Sequence, residues 1–154
     1  MPKEENTTWI VIAAALLSGL VVWLINFVWE VCKGKKRNKN ILDYLGFEMQ
    51  NNIEYAKHNV DCIEKYENKT AEAVNFLVFE NKAARDYMAN EGKKENSELI
   101  KNVAHFIVVV EHVNTILRDY ERGLKSPEIK DYCIGEEKDS VEGNAKKILN
   151  QLKG

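Results

Sequence analysis

Hydrophobic residues are distributed along this chain in two different ways. Residues 9–31 form an almost unbroken apolar run, whereas from residue 40 onward apolar residues recur every three or four positions among charged ones. The 23 residues of the run extend about 34 Å as a helix, enough for the ~30 Å hydrocarbon layer of a bilayer. The pattern therefore predicts one N-terminal transmembrane helix, residues 9–32, followed by amphipathic helices.

The periodic part of the chain predicts a helical bundle. A first helix is expected over residues 40–66, with Asn40 as its cap, because its apolar residues share one face: Leu42, Leu45, Met49, Ile53, Ala56, Val60 and Ile63. A second helix is expected from the capping residues 68–70 to just before Gly92, and a third ends at Gly123.

Shorter helical pieces are expected after Gly123, near residues 126–134 and over residues 139–152. The chain has only two prolines and eight glycines, which suits long helices better than a turn-rich β fold. The predicted fold is therefore all-α. It comprises a transmembrane helix and an antiparallel bundle of about three long helices with short C-terminal helices.

Charge on either side of the apolar run sets the predicted orientation. Only Lys3 precedes the run, and five basic residues follow it within residues 33–39: Lys33, Lys35, Lys36, Arg37 and Lys39. Basic residues resist translocation, so residues 1–8 should be extracytoplasmic and residues 40–154 should form a cytoplasmic domain. The same basic segment would attract anionic lipid headgroups, by about 1 kcal/mol per basic residue.

The sequence argues against a cleaved signal peptide, a nucleic-acid partner and a disulfide or zinc site built on its cysteines. A cleaved signal peptide fits poorly, since the apolar run is too long and no cationic cluster precedes it. From residue 40 onward there are 16 Lys and Arg against 21 Asp and Glu, a net charge of −5, which argues against a nucleic-acid partner. The three cysteines are far apart and form neither a disulfide framework nor a zinc motif.

One face of the predicted transmembrane helix carries small and polar residues: Ala15, Gly19, Asn26 and Glu30. Small residues let helices approach closely, and a membrane-embedded Asn can hydrogen-bond across a helix pair. This face predicts self-association into a homo-oligomer. In the alternative, Asn26 bonds its own backbone and Glu30 reaches the interface beside Lys33.

Residues 106–110, in the middle of the third helix, are apolar all round. The β-branched run is compatible with a strand, but helical periodicity on both sides favours a helix buried on more than one face. In the alternative, the excess apolar surface meets a partner protein through Phe106, Val108 and Val109.

No constellation of residues indicates catalysis. His105 and His112 lie about 10 Å apart along one helix face, and His58 has only Glu54 at the spacing of a helical ligand pair. The sequence has no Gly-rich phosphate loop and no nucleophile elbow. We therefore expect no catalytic, metal-binding or cofactor-binding residue and no enzymatic activity.

Four stretches carry a family resemblance: residues 40–45, 52–56, 106–113 and 122–129. In this order after a spanning helix and a basic run, they are similar to a bacterial family of small single-pass membrane proteins classed as a domain of unknown function. The resemblance covers residues 9–135. It implies the fold class and a bacterial inner-membrane setting, and it transfers no activity.

Two functions are compatible with these features. The first is a membrane-tethered protein-interaction or regulatory module that binds an unidentified protein partner or itself. The alternative is a membrane-acting effector, such as a small toxin or defence protein, which works through oligomerised transmembrane helices. Asn26 and Glu30 motivate the alternative, and depolarisation of the membrane would distinguish it.

Overall fold

The computed structural model describes residues 3–91, 98–124, 126, 128–135 and 139–153, with side chains from Gly19 onward except those of Asn38 and Glu91. These residues contain five helices: α1 (Lys3–Glu67), α2 (Lys82–Glu91), α3 (Glu98–Glu121), α4 (Ile129–Cys133) and α5 (Val141–Lys153). They contain no β-strand, which confirms the all-α class. The chain divides into two compact units, Met1–Asn40 and Ile41–Gly154.

The first unit is the N-terminal part of α1. Its large apolar side chains from Leu20 to Val31 are all exposed, by 42% to 71%, and Trp23 stacks on Phe27 with 5.7 Å between ring centroids. Among the residues whose side chains the structure describes, which in α1 start at Gly19, no helix has an apolar stretch long enough to cross a bilayer. The helix start predicted at Asn40 is wrong, because α1 passes through this residue without interruption.

The second unit is organised around α3, which contacts α2, α4 and α5. Seven α3 residues are buried: Val103, Phe106, Val109, Val110, Val113, Leu117 and Tyr120. They share one hydrophobic core with Leu45, Met49, Ala56 and Ile63 of α1 and with Val141, Ala145 and Ile148 of α5. Because α3 has neighbours on several sides, its apolar surface is wider than the single stripe of an amphipathic helix.

The residues after α1 end that helix rather than start a new one. Lys69 adopts a left-handed conformation, with φ of 57°. The Thr70 amide donates to the Lys65 carbonyl and the Lys69 amide to the Tyr66 carbonyl. This pair of bonds is the Schellman arrangement of a helix C-terminus. The predicted role of residues 68–70 as an N-terminal cap is therefore wrong.

Residues 71–81 are not helical, so the predicted second helix begins at Lys82 instead, and Gly92 lies outside the described residues. Three asparagine side chains bind the backbone of this segment in the same way. Each amide nitrogen donates to a carbonyl and each amide oxygen accepts from the N–H of the same residue: Asn59 pairs with Leu77, Asn52 with Glu80 and Asn114 with Phe79, at 2.8–2.9 Å.

These three asparagine clamps explain why the segment stays out of a helix. They satisfy backbone groups that a helix would otherwise pair internally. Asn52 and Asn59 are about 10.5 Å apart along α1, and the three steps along the chain from Leu77 to Glu80 cover that distance. Such a rise of about 3.5 Å per residue requires an extended chain, running antiparallel to α1.

The predicted helix end at Gly123 is confirmed, and α5 begins two residues after the predicted start at residue 139. Gly123 ends α3 with a φ of 87°, and the Leu124 and Gly123 amides donate to the carbonyls of Asp119 and Tyr120, again a Schellman motif. At the start of α5 the Ser140 hydroxyl accepts from the Gly143 amide at 3.0 Å, as an N-terminal cap does.

Candidate functional site

A cleft of about 300 Å³ lies between α1 and the start of α2. One wall carries Ile41, Tyr44 and Phe47, which are spaced three apart and therefore lie along one side of α1. The opposite wall carries Glu80, Lys82, Ala83 and Asp86. Tyr44 is 69% exposed and Phe47 is 63% exposed. Two large aromatic side chains thus line a concave surface without being covered by the rest of the domain.

Glu48 joins the two walls of the cleft. Its side chain is only 4% exposed. One carboxylate oxygen accepts from the Ala83 amide at 2.6 Å and the other from the Ala84 amide at 3.0 Å. These are amides of the first turn of α2, which have no partner within the helix. A carboxylate of α1 therefore caps α2 and holds the two helices in a defined relation.

The cleft carries more acidic than basic groups. Three of its lining residues are carboxylic acids (Glu48, Glu80 and Asp86), and Lys82 is the basic one. Burial raises the pKa of Glu48 above its usual range, and the nearby Glu80 charge raises it further, against a lowering by the backbone bonds of Ala83 and Ala84. In the folded domain, the loss of water around this carboxylate therefore outweighs the hydrogen bonds that stabilise its ionised form.

A pH-dependent stability follows from the Glu48 pKa. Since the folded-state pKa lies above the unfolded one, folding is favoured below the unfolded pKa near 4.5, and this contribution is lost as pH rises through the folded pKa. Glu48→Gln removes the titration. We expect the free energy of unfolding of the wild type, relative to Glu48→Gln, to fall as the pH rises from the unfolded pKa near 4.5, measured by urea unfolding at each pH. Parallel pH profiles of the two proteins would contradict the assignment.

A second polar cluster lies where the extended segment meets α1. The His58 Nε2 atom is 3.2 Å from the Asn75 carbonyl oxygen and 3.3 Å from the Cys62 Sγ atom. The Cys62 thiol also donates to the Asn75 carbonyl at 3.6 Å. The imidazole and the thiol thus share one backbone acceptor, and the cluster ties the start of the extended segment to α1.

The other cysteines have different surroundings. Cys133 is fully buried, and burial raises the pKa of its thiol to about 12. Cys32 is exposed.

Among the described residues, no group of three or more His, Cys, Asp or Glu side chains is placed to hold a metal ion. His105 and His112, the other two histidines of the sequence, lie on α3, and His112 packs edge-on against Tyr132 at 5.6 Å.

The predicted transmembrane packing face is described in part. Asn26 and Glu30 are exposed, and a Cβ added at Gly19 would meet no other atom within 4 Å. Ala15 lies outside the residues with described side chains. The five basic residues of the headgroup segment are exposed: Lys33, Lys35, Lys36, Arg37 and Lys39.

The predicted partner surface on α3 is divided by the fold. Phe106 is fully buried and Val109 is 6% exposed, so both belong to the core, whereas Val108 is 63% exposed. The reason is that α3 packs against α2, α4 and α5 but leaves one side exposed, and Val108 lies on the exposed side. Phe106 and Val109 are therefore not available to a partner in this fold, and Val108 is an isolated surface valine.

The cleft residues were not predicted from the sequence as a site. A signal was nevertheless present, since Tyr44 and Phe47 fall outside the apolar stripe formed by Leu45, Met49 and Ile53. Aromatic residues that lie off the inner face of an amphipathic helix indicate a second contact surface.

Comparison with known proteins gives no family for this chain: no family model, no curated protein and no solved structure matches it. The resemblance to a bacterial membrane family therefore stays a prediction.

Proposed function

We propose that this chain is a membrane-tethered protein-interaction module without catalytic activity. The observation that carries the tether is the exposure of every large apolar side chain from Leu20 to Val31. Exposing such a surface to water is unfavourable by about 25 cal/mol per Å² of apolar area. In a bilayer the same side chains meet lipid, and the helix satisfies its own backbone groups. The apolar run begins at Trp9, well before the first described side chain.

The orientation follows from the basic residues after the run. Lys33, Lys35, Lys36, Arg37 and Lys39 would stay on the cytoplasmic side, which leaves residues 1–8 outside. The domain from residue 40 onward would then face the cytoplasm. In keeping with the family resemblance, we place the protein in a bacterial inner membrane as a single-pass protein.

The cleft between α1 and α2 supports an interaction role over a bilayer-perturbing one. A helix that acts only by disturbing the membrane has no use for a domain with a preformed concave surface. Here the cleft is fixed by Glu48 across its base, with Tyr44 and Phe47 exposed at its wall. Exposed aromatic residues around a concavity are typical of protein-binding sites.

The tether predicts a clear result on fractionation. Arginine near the bilayer centre disfavours insertion by about 2.5–3.5 kcal/mol per residue. We expect the wild-type chain to stay in the membrane pellet after alkaline carbonate extraction, and Val21→Arg/Leu24→Arg to leave it. Val108→Arg/Leu124→Arg is the matched control, because these residues are also exposed, at 63% and 64%, but lie in the domain.

The control variant should remain in the pellet like the wild type. Extraction of the wild-type chain by carbonate would refute the tether. Retention of Val21→Arg/Leu24→Arg would show that the membrane association has another cause.

A further inference from the structure

We propose that the cleft binds the basic segment, residues 33–39, of a second copy of this chain. The inference rests on the proposed interaction role and names the partner of that site. The contact would place lysine side chains of one copy against Tyr44, Phe47, Glu80 and Asp86 of the other.

The aromatic wall provides the first reason. Cations bind favourably over the faces of aromatic rings, and this attraction increases where water is partly excluded. Tyr44 and Phe47 are one helical turn apart, and both face solvent at the wall of the cleft. Ile41 continues the same wall, and it can pack against the methylene groups of a lysine or arginine stem.

The carboxylates of the cleft provide the second reason. The side chains of Glu80 and Asp86 are exposed, so both can approach a cation without first losing buried contacts. The Glu80 carboxylate accepts a long hydrogen bond, 3.4 Å, from the Tyr55 hydroxyl, and no other described side chain bonds its second oxygen. Glu80 also raises the pKa of Glu48, so a bound cation would relieve repulsion between the two carboxylates.

The charge pattern of the chain identifies the occupant. Residues 33–39 carry five basic residues and no acidic one, and the part from residue 40 onward has a net charge of −5. Lys33, Lys35, Lys36 and Lys39 are exposed. Each copy therefore presents both a cationic segment and an anionic aromatic cleft. Opposite potentials of this kind steer association and fix its register.

Charge reversal in trans tests the proposal with the full-length chain in detergent micelles. The cleft-reversed variant is Glu80→Lys/Asp86→Lys, and the segment-reversed variant is Lys35→Glu/Lys36→Glu. Self-association is measured by energy transfer between donor- and acceptor-labelled chains. Each variant alone should have a dissociation constant at least about tenfold higher than the wild type. This is the effect expected when the binding free energy of several exposed ion pairs and cation–π contacts is lost.

An equimolar mixture of the two variants should restore association. In that pair, the unaltered basic segment of one copy meets the unaltered cleft of the other, and the two reversed surfaces also match. Tyr44→Ala/Phe47→Ala should also weaken association, and mixing it with the cleft-reversed variant should not restore association, because neither chain then carries an unaltered cleft. A matched reversal outside the cleft, Glu121→Lys/Asp131→Lys, changes the same net charge on exposed residues and should associate like the wild type.

The remaining outcomes overturn the proposal. If the cleft-reversed variant associates as strongly as the wild type, the interface lies elsewhere, for example on the apolar helix. Loss of association without rescue in the mixture excludes the paired contact, provided that circular dichroism shows both variants folded. A monomeric wild-type chain that captures a different basic protein excludes the second copy but leaves the interaction role standing. Carbonate extraction decides the tether independently of all these results.

Discussion

Replacing Asn59 with leucine should lower the free energy of unfolding by about 2–4 kcal/mol. Asn59 is fully buried, and its amide both donates to the Leu77 carbonyl and accepts from the Leu77 amide, each at 2.8 Å. Leucine has a similar volume but can make neither bond. The loss therefore combines two hydrogen bonds with the desolvation of two backbone groups for which the described residues offer no other hydrogen bond.

Asn51→Leu provides the matched control for this prediction. Asn51 lies on the same helix, is only partly buried, and makes none of the hydrogen bonds described between α1 and the extended segment. Its replacement should change stability by less than about 0.5 kcal/mol. Urea unfolding of the full-length chain in micelles, followed by circular dichroism, measures both variants. Equal stability of Asn59→Leu and the wild type would mean that the clamp contributes nothing.

Hydrogen exchange provides a local test of the same clamp. The Leu77 amide should exchange faster in Asn59→Leu, because its hydrogen-bond acceptor is gone. The effect should extend toward Glu80, which the neighbouring clamp at Asn52 holds. Glu80 lines the cleft, so the asparagine clamps also position the candidate binding site.

Local signals in the sequence were sufficient to predict most of the helices. The apolar stripe from Leu45 to Ile63 lies in the core as its periodicity indicates. Gly123 ends a helix because glycine adopts a left-handed conformation freely. The helix predicted from residue 139 begins after Ser140, because the serine hydroxyl accepts from a free amide of the first turn. Both effects involve residues within one turn of each other.

The extended segment before α2 could not be predicted in this way. Ala71, Val74, Leu77 and Val78 repeat at helical intervals, so the local pattern indicates a helix. The competing interactions come from Asn59, Asn52 and Asn114, which lie 18, 28 and 35 residues from their partners. A distant side chain that replaces a helical hydrogen bond leaves no trace in the periodicity of the segment itself.

The candidate cleft depends on the same long-range arrangement. Glu48 belongs to α1, and its partners Ala83 and Ala84 belong to α2. Nothing near Glu48 in the sequence indicates that its carboxylate caps another helix. The basic segment, in contrast, was evident from the sequence, because charge is a property of single residues and needs no fold to be recognised.

The second large effect on stability is expected at Phe106, one of the α3 residues considered for partner binding. Phe106→Ala should lower the free energy of unfolding by about 3–5 kcal/mol, the range for removing a buried aromatic ring. Phe106 is fully buried within the hydrophobic core. Its loss removes apolar contacts and leaves a cavity that the surrounding helices can close only in part. A domain with an ordinary free energy of unfolding, about 5–15 kcal/mol, would lose a large fraction of it.

Val108→Ala separates this core role from a surface role on the same helix. Val108 is two residues away but 63% exposed, so its truncation should change stability by less than about 0.5 kcal/mol. Thermal and urea unfolding of the two variants measure the contrast directly. If Phe106→Ala were as stable as Val108→Ala, the packing of α3 in the core would be wrong. If Val108→Ala instead weakened self-association at unchanged stability, an interface on α3 would be required in addition to the cleft.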